Sequence, residues 1–264
     1  MPSYADQTGR TINLHHPPRS IVSLVPSQTE LLYDLGLDNT VTGITKFCVH
    51  PHRWFREKTK IGGTKSLKTA IIKTLQPDLI IANKEENVKE QVDELANDYP
   101  VWISDVHNLE TAVEMIETIG EITGKGTKAK AINKEILDNF SQLRPAGKSL
   151  KTTYLIWPNP YMTIGGNTFI NDMLNRCGFN NIFEKHQRYP SITIEELQAA
   201  GCELLLLSSE PFPFKDKHIE QLQQQLPLTK IVLADGEMFS WYGSRLLLAP
   251  GYFSSLIQSL QIDN

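Results

Sequence analysis

Short, unbroken apolar runs recur along this chain, and amphipathic stretches separate them. The first, residues 20–24, is a β-branched Ser-Ile-Val-Ser-Leu that suits a strand buried on both faces, as in parallel sheets. Val25-Pro26 ends it. Ser27, with Glu30 three residues on, predicts a capping box opening a helix over 28–35, closed by Gly36. Farther along, a helix at 67–75, a strand at 77–82, a polar loop at 83–87, an amphipathic helix at 88–96 and a strand at 100–105 follow one another. The same order returns as a helix at 194–200, a strand at 203–207, a Pro-rich loop at 208–217, a helix at 219–226 and a strand at 230–235. Two such units predict two similar Rossmann-like α/β lobes, each around a mostly parallel sheet. Between them, Ile132, Ile136, Leu137 and Phe140 recur at helical spacing, and 127–143 predicts one long helix of about 25 Å at 1.5 Å per residue. The chain therefore divides into an N-terminal α/β lobe (1–108), a linking helical segment (109–147) and a C-terminal α/β lobe (148–264), with ligand expected in the cleft between lobes.

Composition narrows the function. Hydrophobic residues make up 40% and charged residues 21% of 264, an ordinary globular balance, and the formal net charge is −4. Nucleic acid needs a concentrated basic surface and is not expected as a partner. The three cysteines, Cys48, Cys177 and Cys202, form no CxxC and suggest neither a disulfide framework nor a thiolate zinc site. No run approaches the roughly twenty apolar residues of a membrane span. Residues 1–19 lack a basic start followed by an apolar core, so no signal peptide is expected in the chain as given.

In α/β sheets, loops at the carboxyl ends of parallel strands carry the site. Here those loops are unusually aromatic. The expected ligand contacts are Phe47, His50, Asn83 and Glu85 in the first lobe, and Trp157, Tyr161, Phe212, Trp241, Tyr242 and Arg245 in the second. Aromatic walls with a few polar groups hold large flat or greasy ligands. Trp241, between Gly236 and Gly243, is expected at a loop tip, stacking on ligand. Arg245 can grip an anion or brace itself on Asp235 or Glu237. Cys48-Val49-His50-Pro51-His52 offers metal ligands, with His50 and His52 as the candidates. No GxSxG, HExxH, Walker A or GxGxxG occurs, so no catalytic residues are expected.

The stretch from Arg19 to Glu30, preceded by Asp6-Gln7-Thr8-Gly9-Arg10, resembles the opening of the helical-backbone substrate-binding proteins of ABC importers, which take cobalamin or ferric siderophores. Ile61-Gly62-Gly63, Pro77-Asp78-Leu79-Ile80-Ile81, Ile164-Gly165-Gly166 and Gly178-Phe179-Asn180-Asn181-Ile182-Phe183 extend the resemblance over essentially the whole chain. The cobalamin-binding type is the nearest. The resemblance implies a monomeric, non-enzymatic protein of the periplasm or cell surface, with no built-in cofactor. It would carry cobalamin or a ferric chelate to a membrane permease. It also implies an acidic docking residue on each lobe: Glu195 fits, whereas Lys68 stands where the first is expected. Receptors for ferric siderophore, haem or free metal ion are the alternatives within the binding class. A cytoplasmic metal-handling or chelatase-like enzyme on the same fold is the alternative outside it.

Overall fold

The computed structural model describes residues 2–260. The chain forms two compact units. One comprises residues up to Val106, Glu110–Leu137 and the short segment Tyr242–Arg245; the other comprises His107–Leu109, Asp138–Trp241 and the chain from Leu246 onward.

The first unit is built on a five-stranded, all-parallel sheet in the order Thr59–Lys60, Val41–Ile44, Ile21–Ser23, Leu79–Asn83, Val101–Ser104. Its three strands Ile21–Ser23, Leu79–Asn83 and Val101–Ser104 are buried at every position, which is why their sequences read as continuous apolar runs rather than as alternations. A small hairpin, Ser3–Ala5 with Thr11–Asn13, turns at Asp6, whose carboxylate accepts from the Thr8 and Arg10 amides. The Trp102 indole donates to the Ala5 carbonyl and ties this hairpin to the sheet.

The second unit carries a four-stranded, all-parallel sheet in the order Asn180–Asn181, Lys151–Leu155, Leu204–Ser208, Lys230–Ala234. Leu155, Leu197, Leu205, Leu207, Leu222 and Ile231 form its core on one face. A three-stranded antiparallel sheet of Trp157–Pro158, Tyr161–Met162 and Ser191–Ile192 is added after the first strand.

Residues 109–147 contain two helices, Leu109–Ile122 and Gly126–Gln142. The second has 17 residues and supplies its earlier part to the first unit and its last turn to the second, matching the long helix expected at 127–143. Two α/β units with parallel sheets and one such helix agree with the fold class read from the sequence.

Local details differ. Ser27 is no N-cap: the helix starts at Pro26, after Val25, and runs Pro26–Asp34 with no side-chain cap. Proline at the first helical position already supplies the helical φ and lacks the N–H a cap would satisfy. Leu67 leaves the helix expected at 67–75, since Ser66–Leu67 pairs with Gly62–Gly63 as a hairpin, and the helix is only Thr69–Thr74. The stretch 235–245 is not one loop but a helix, Gly236–Ser240, followed by a 3-10 turn, Ser244–Leu247.

Candidate functional site

All strands of each principal sheet are parallel, so each sheet has one carboxyl edge. Along it, the place where strand order reverses opens a natural crevice.

In the first sheet the reversal lies between Ile21–Ser23 and Leu79–Asn83. The loop after Leu79–Asn83 is held by its own first residue. The Asn83 side-chain oxygen accepts from the Glu85 amide at 2.8 Å and the Glu86 amide at 2.9 Å, and its amide nitrogen donates to the Ser104 hydroxyl at 3.0 Å. Asn83 is thus a buried brace of this loop, and it leaves Glu85 half-buried on it. Asn87 completes the turn, donating to the Leu24 carbonyl across the reversal point.

The loop 45–51, after Val41–Ile44, is anchored from inside. The hydroxyls of Thr29 and Thr45 both lie 3.1 Å from the Cys48 sulfur. Burial pushes this thiol up to about 11, so it stays protonated and packs as a small apolar group. With Cys48 turned inward, Phe47 is turned outward and is 51% exposed, its ring under the Lys46 ammonium. His50 is half-buried, and His52 is exposed at the start of the helix His52–Glu57. Among the described residues, no three His, Cys, Asp or Glu side chains converge to hold a metal ion.

The segment Tyr242–Arg245 lies against the helix Pro26–Asp34 and the loop after Leu79–Asn83. Tyr242, 6% exposed, donates its hydroxyl to Glu86 at 2.9 Å, and Ser244 donates to Asp34. Arg245 places Nε and Nη2 on the two oxygens of Glu30, at 2.9 and 2.6 Å. Glu30, spared from capping, is the acceptor of this fork. Burial raises the Glu30 carboxyl above its ordinary value, and Arg245 opposes that rise.

In the second sheet the reversal lies between Lys151–Leu155 and Leu204–Ser208. There Tyr154 donates to the Ser208 hydroxyl, which donates to the Glu210 carbonyl and shapes the loop 208–214. Trp157, on the short strand Trp157–Pro158, and Phe212, in the loop after Leu204–Ser208, meet edge to face at 5.6 Å, with Phe214 behind Phe212 at 4.9 Å. Phe214 is buried in the core, Phe212 and Tyr161 are partly buried against it, and Trp157 is 40% exposed. The outcome is a graded aromatic cluster with Trp157 as its outermost ring.

Trp241 is not a loop-tip ring. It is 5% exposed, ends the helix Gly236–Ser240, and donates its indole N–H to Glu210 at 2.9 Å. The short helix was unforeseen because Gly236 and Gly243 signalled turns; tertiary burial of Phe239 and Trp241 draws the segment inward. Sequence reasoning also passed over Glu210, whose only signal was its place beside Pro211 in a polar loop. It borders a cavity of about 540 Å³ at the ends of Leu204–Ser208 and Lys230–Ala234, lined also by Ser209, Asp235, Glu237 and Tyr252.

Burial raises the Glu210 carboxyl above its ordinary value, with Glu237 and Asp235 adding to the effect against the Ser240 and Trp241 donors. A raised carboxyl means the folded state binds its proton more tightly than the unfolded state. The associated stability is full at low pH and is lost as pH climbs through the raised value. Glu210→Gln keeps the acceptor oxygen and removes the charge. The variant is expected to melt above the wild type at pH 7, the gap closing as pH falls to the ordinary 4.5 and below. Melting curves across pH check this, and a gap that widens toward acid refutes it.

Comparison with known proteins gives three kinds of likeness. A family model described as periplasmic binding protein matches residues 21–231. A vitamin B12-binding protein of Vibrio campbellii is 26% identical over 197 residues, covering 73% of this chain and 71% of that protein. An uncharacterized ABC transporter substrate-binding lipoprotein of Bacillus subtilis is 28% identical over 182 residues, covering 64% of this chain and 57% of the lipoprotein. Among solved structures, the periplasmic vitamin B12-binding protein of Vibrio cholerae superposes with a TM-score of 0.75 at 19% identity, over 94% of this chain and 99% of that one. At that identity the superposition establishes the shared fold.

Proposed function

We propose, for a chain that belongs to the periplasmic binding protein family, that it is the substrate-binding component of an ABC-type uptake system and that its ligand is cobalamin or a related metal chelate. The observation that carries the ligand class is the Trp157–Phe212 pair at the reversal point of the second sheet. Parallel sheets bind at such points, and a partly exposed indole backed by packed rings suits a broad, flat or greasy ligand face. Phe47, exposed on a carboxyl-end loop of the first unit, offers a second such surface. The B12-binding name of the Vibrio campbellii relative supports cobalamin within that class.

The protein releases its ligand chemically unchanged. The half-buried carboxyls of Glu30 and Glu210 are engaged with Arg245 and with Ser240 and Trp241, and its thiols are buried. The working place is the outer face of the cytoplasmic membrane, as a monomer handing ligand to a permease. Among the described residues, no helix is long and apolar enough to cross a membrane.

The test is titration of the purified protein with cyanocobalamin, haem and a ferric hydroxamate, followed by native mass spectrometry. The expected result is a one-to-one cobalamin complex from which intact cobalamin is recovered. Selective retention of haem or the ferric chelate moves the assignment to that ligand. Retention of none overturns the reading.

Permease docking is proposed at the amino ends of two short helices. Glu195 is exposed in the first turn of Ile194–Ala200, and its own amide and the Thr193 hydroxyl hold its carboxyl below the ordinary value. Lys68 is exposed and precedes Thr69–Thr74, where a positive charge opposes the helix dipole. Lys68→Glu is expected to leave the melting temperature unchanged or slightly higher and to strengthen binding to a permease with basic docking pockets. Unchanged or weaker binding in a pull-down with that permease defeats the assignment of this surface.

A further inference from the structure

Four residues of the first unit come from the far end of the chain. Residues up to Trp241 and from Leu246 onward belong to the second unit, yet Tyr242–Arg245 belongs to the first. The segment is pressed closely onto the helix Pro26–Asp34: a Cβ on Gly243 would lie 2.5 Å from the Ser27 carbonyl oxygen. Its three polar side chains, all buried, donate to three different carboxylates: Tyr242 to Glu86, Ser244 to Asp34 and Arg245 to Glu30. Buried polar and charged groups are costly unless paired, so these acceptors determine where the segment can rest.

Two of these acceptors in turn belong to the machinery of the carboxyl edge. Glu86 sits in the loop whose Glu85 and Glu86 amides close on Asn83. Glu30 lies on the helix Pro26–Asp34, whose neighbouring Thr29 donates its hydroxyl to the Cys48 sulfur at 3.1 Å and so holds the loop that turns Phe47 outward. We infer that Tyr242–Arg245 is a latch. It lies against the helix Pro26–Asp34 and holds the loops 45–51 and 84–88 in place. Tyr242 and Arg245 are then positioning residues for ligand binding rather than ligand contacts. That last step rests on the function proposed above; the latch itself does not.

The test uses the full chain as wild type, Tyr242→Phe and Arg245→Lys. Amide hydrogen exchange is measured without ligand, followed by titration with cyanocobalamin. Tyr242→Phe removes one hydroxyl and keeps the buried ring. Arg245→Lys keeps the charge but loses the two-pronged fork. In Tyr242→Phe the amides of Glu85, Glu86 and Asn87 are expected to exchange about tenfold faster, the effect of one lost hydrogen bond to a carboxylate. In Arg245→Lys the acceleration is expected in 45–51. Cobalamin affinity is expected to fall about tenfold in each, with exchange in the second unit's core unchanged. Unaltered exchange in both loops overturns the latch, as does acceleration spread evenly over both units. Faster loop exchange with unaltered affinity overturns the positioning role. A wild type that binds no cobalamin, haem or ferric chelate defeats the functional reading alone, and loop exchange still decides the latch.

Discussion

Alanine at position 166 is expected to lower the melting temperature by roughly 5–10 °C, at about 2–3 kcal/mol and 2–4 °C per kcal/mol for a unit of this size. A Cβ on Gly166 would lie 2.2 Å from the Glu184 carbonyl oxygen, and one on Gly165 would lie 2.3 Å from that of His186. These are backbone atoms, so no flexible side chain can swing away. Both carbonyls also accept the Gly166 amide, at 3.0 and 2.9 Å, so retreat would break the hydrogen bonds that bring the segments together. The cost combines overpacking with a lost buried hydrogen bond. Gly251→Ala is the matched control. No atom lies within 4 Å of its added methyl, and the position is inside the helix Ala249–Ser259. Alanine there is expected to melt at or above the wild type, since it is the better helix former by about 1 kcal/mol. A Gly166→Ala variant melting with the wild type in calorimetry would show that the two segments are not tightly apposed.

The second large effect is on binding. Trp157→Ala is expected to weaken the cobalamin complex by roughly 5- to 150-fold, corresponding to about 1–3 kcal/mol for the lost aromatic contact surface. At 40% exposure its ring contributes less to the core than Phe214 behind it, so the melting temperature is expected to move little. Phe214→Ala, at 5% exposure, is expected to do the reverse: a marked loss of stability with affinity affected only through unfolding. Isothermal titration and melting on both variants separate the two roles. Full affinity in Trp157→Ala removes this ring from the binding surface and, with it, the main support for the ligand class.

Much of the candidate site was legible in the sequence at the level of loops. The runs 20–24, 77–82, 100–105, 203–207 and 230–235 marked the strands because parallel strands are buried on both faces and must be apolar throughout. Their carboxyl-end loops followed from that. The strand Val41–Ile44 was missed because Thr42 and Gly43 interrupt its apolar character. The helices Phe169–Arg176 and Ala249–Ser259 were not anticipated.

Within the loops, residue type did not fix residue role. Phe47 and Trp157 stayed exposed, whereas Trp241, in an equally aromatic and glycine-flanked stretch, turned inward to Glu210. Which ring faces out depends on the neighbour beneath it: inward-turned Cys48 exposes Phe47, and the packed Phe214 supports the outer rings. Such neighbours are brought together by folding, and chain spacing carries no trace of them. Glu30 shows the same division. Its spacing from Ser27 promised a local cap, but Arg245, 215 positions away, took its carboxylate. Sequence by itself determined the elements, their order and the apolar faces, because these depend on local periodicity. Only the tertiary structure decided which polar groups pair and which rings remain free, because a buried charge takes the best partner in space.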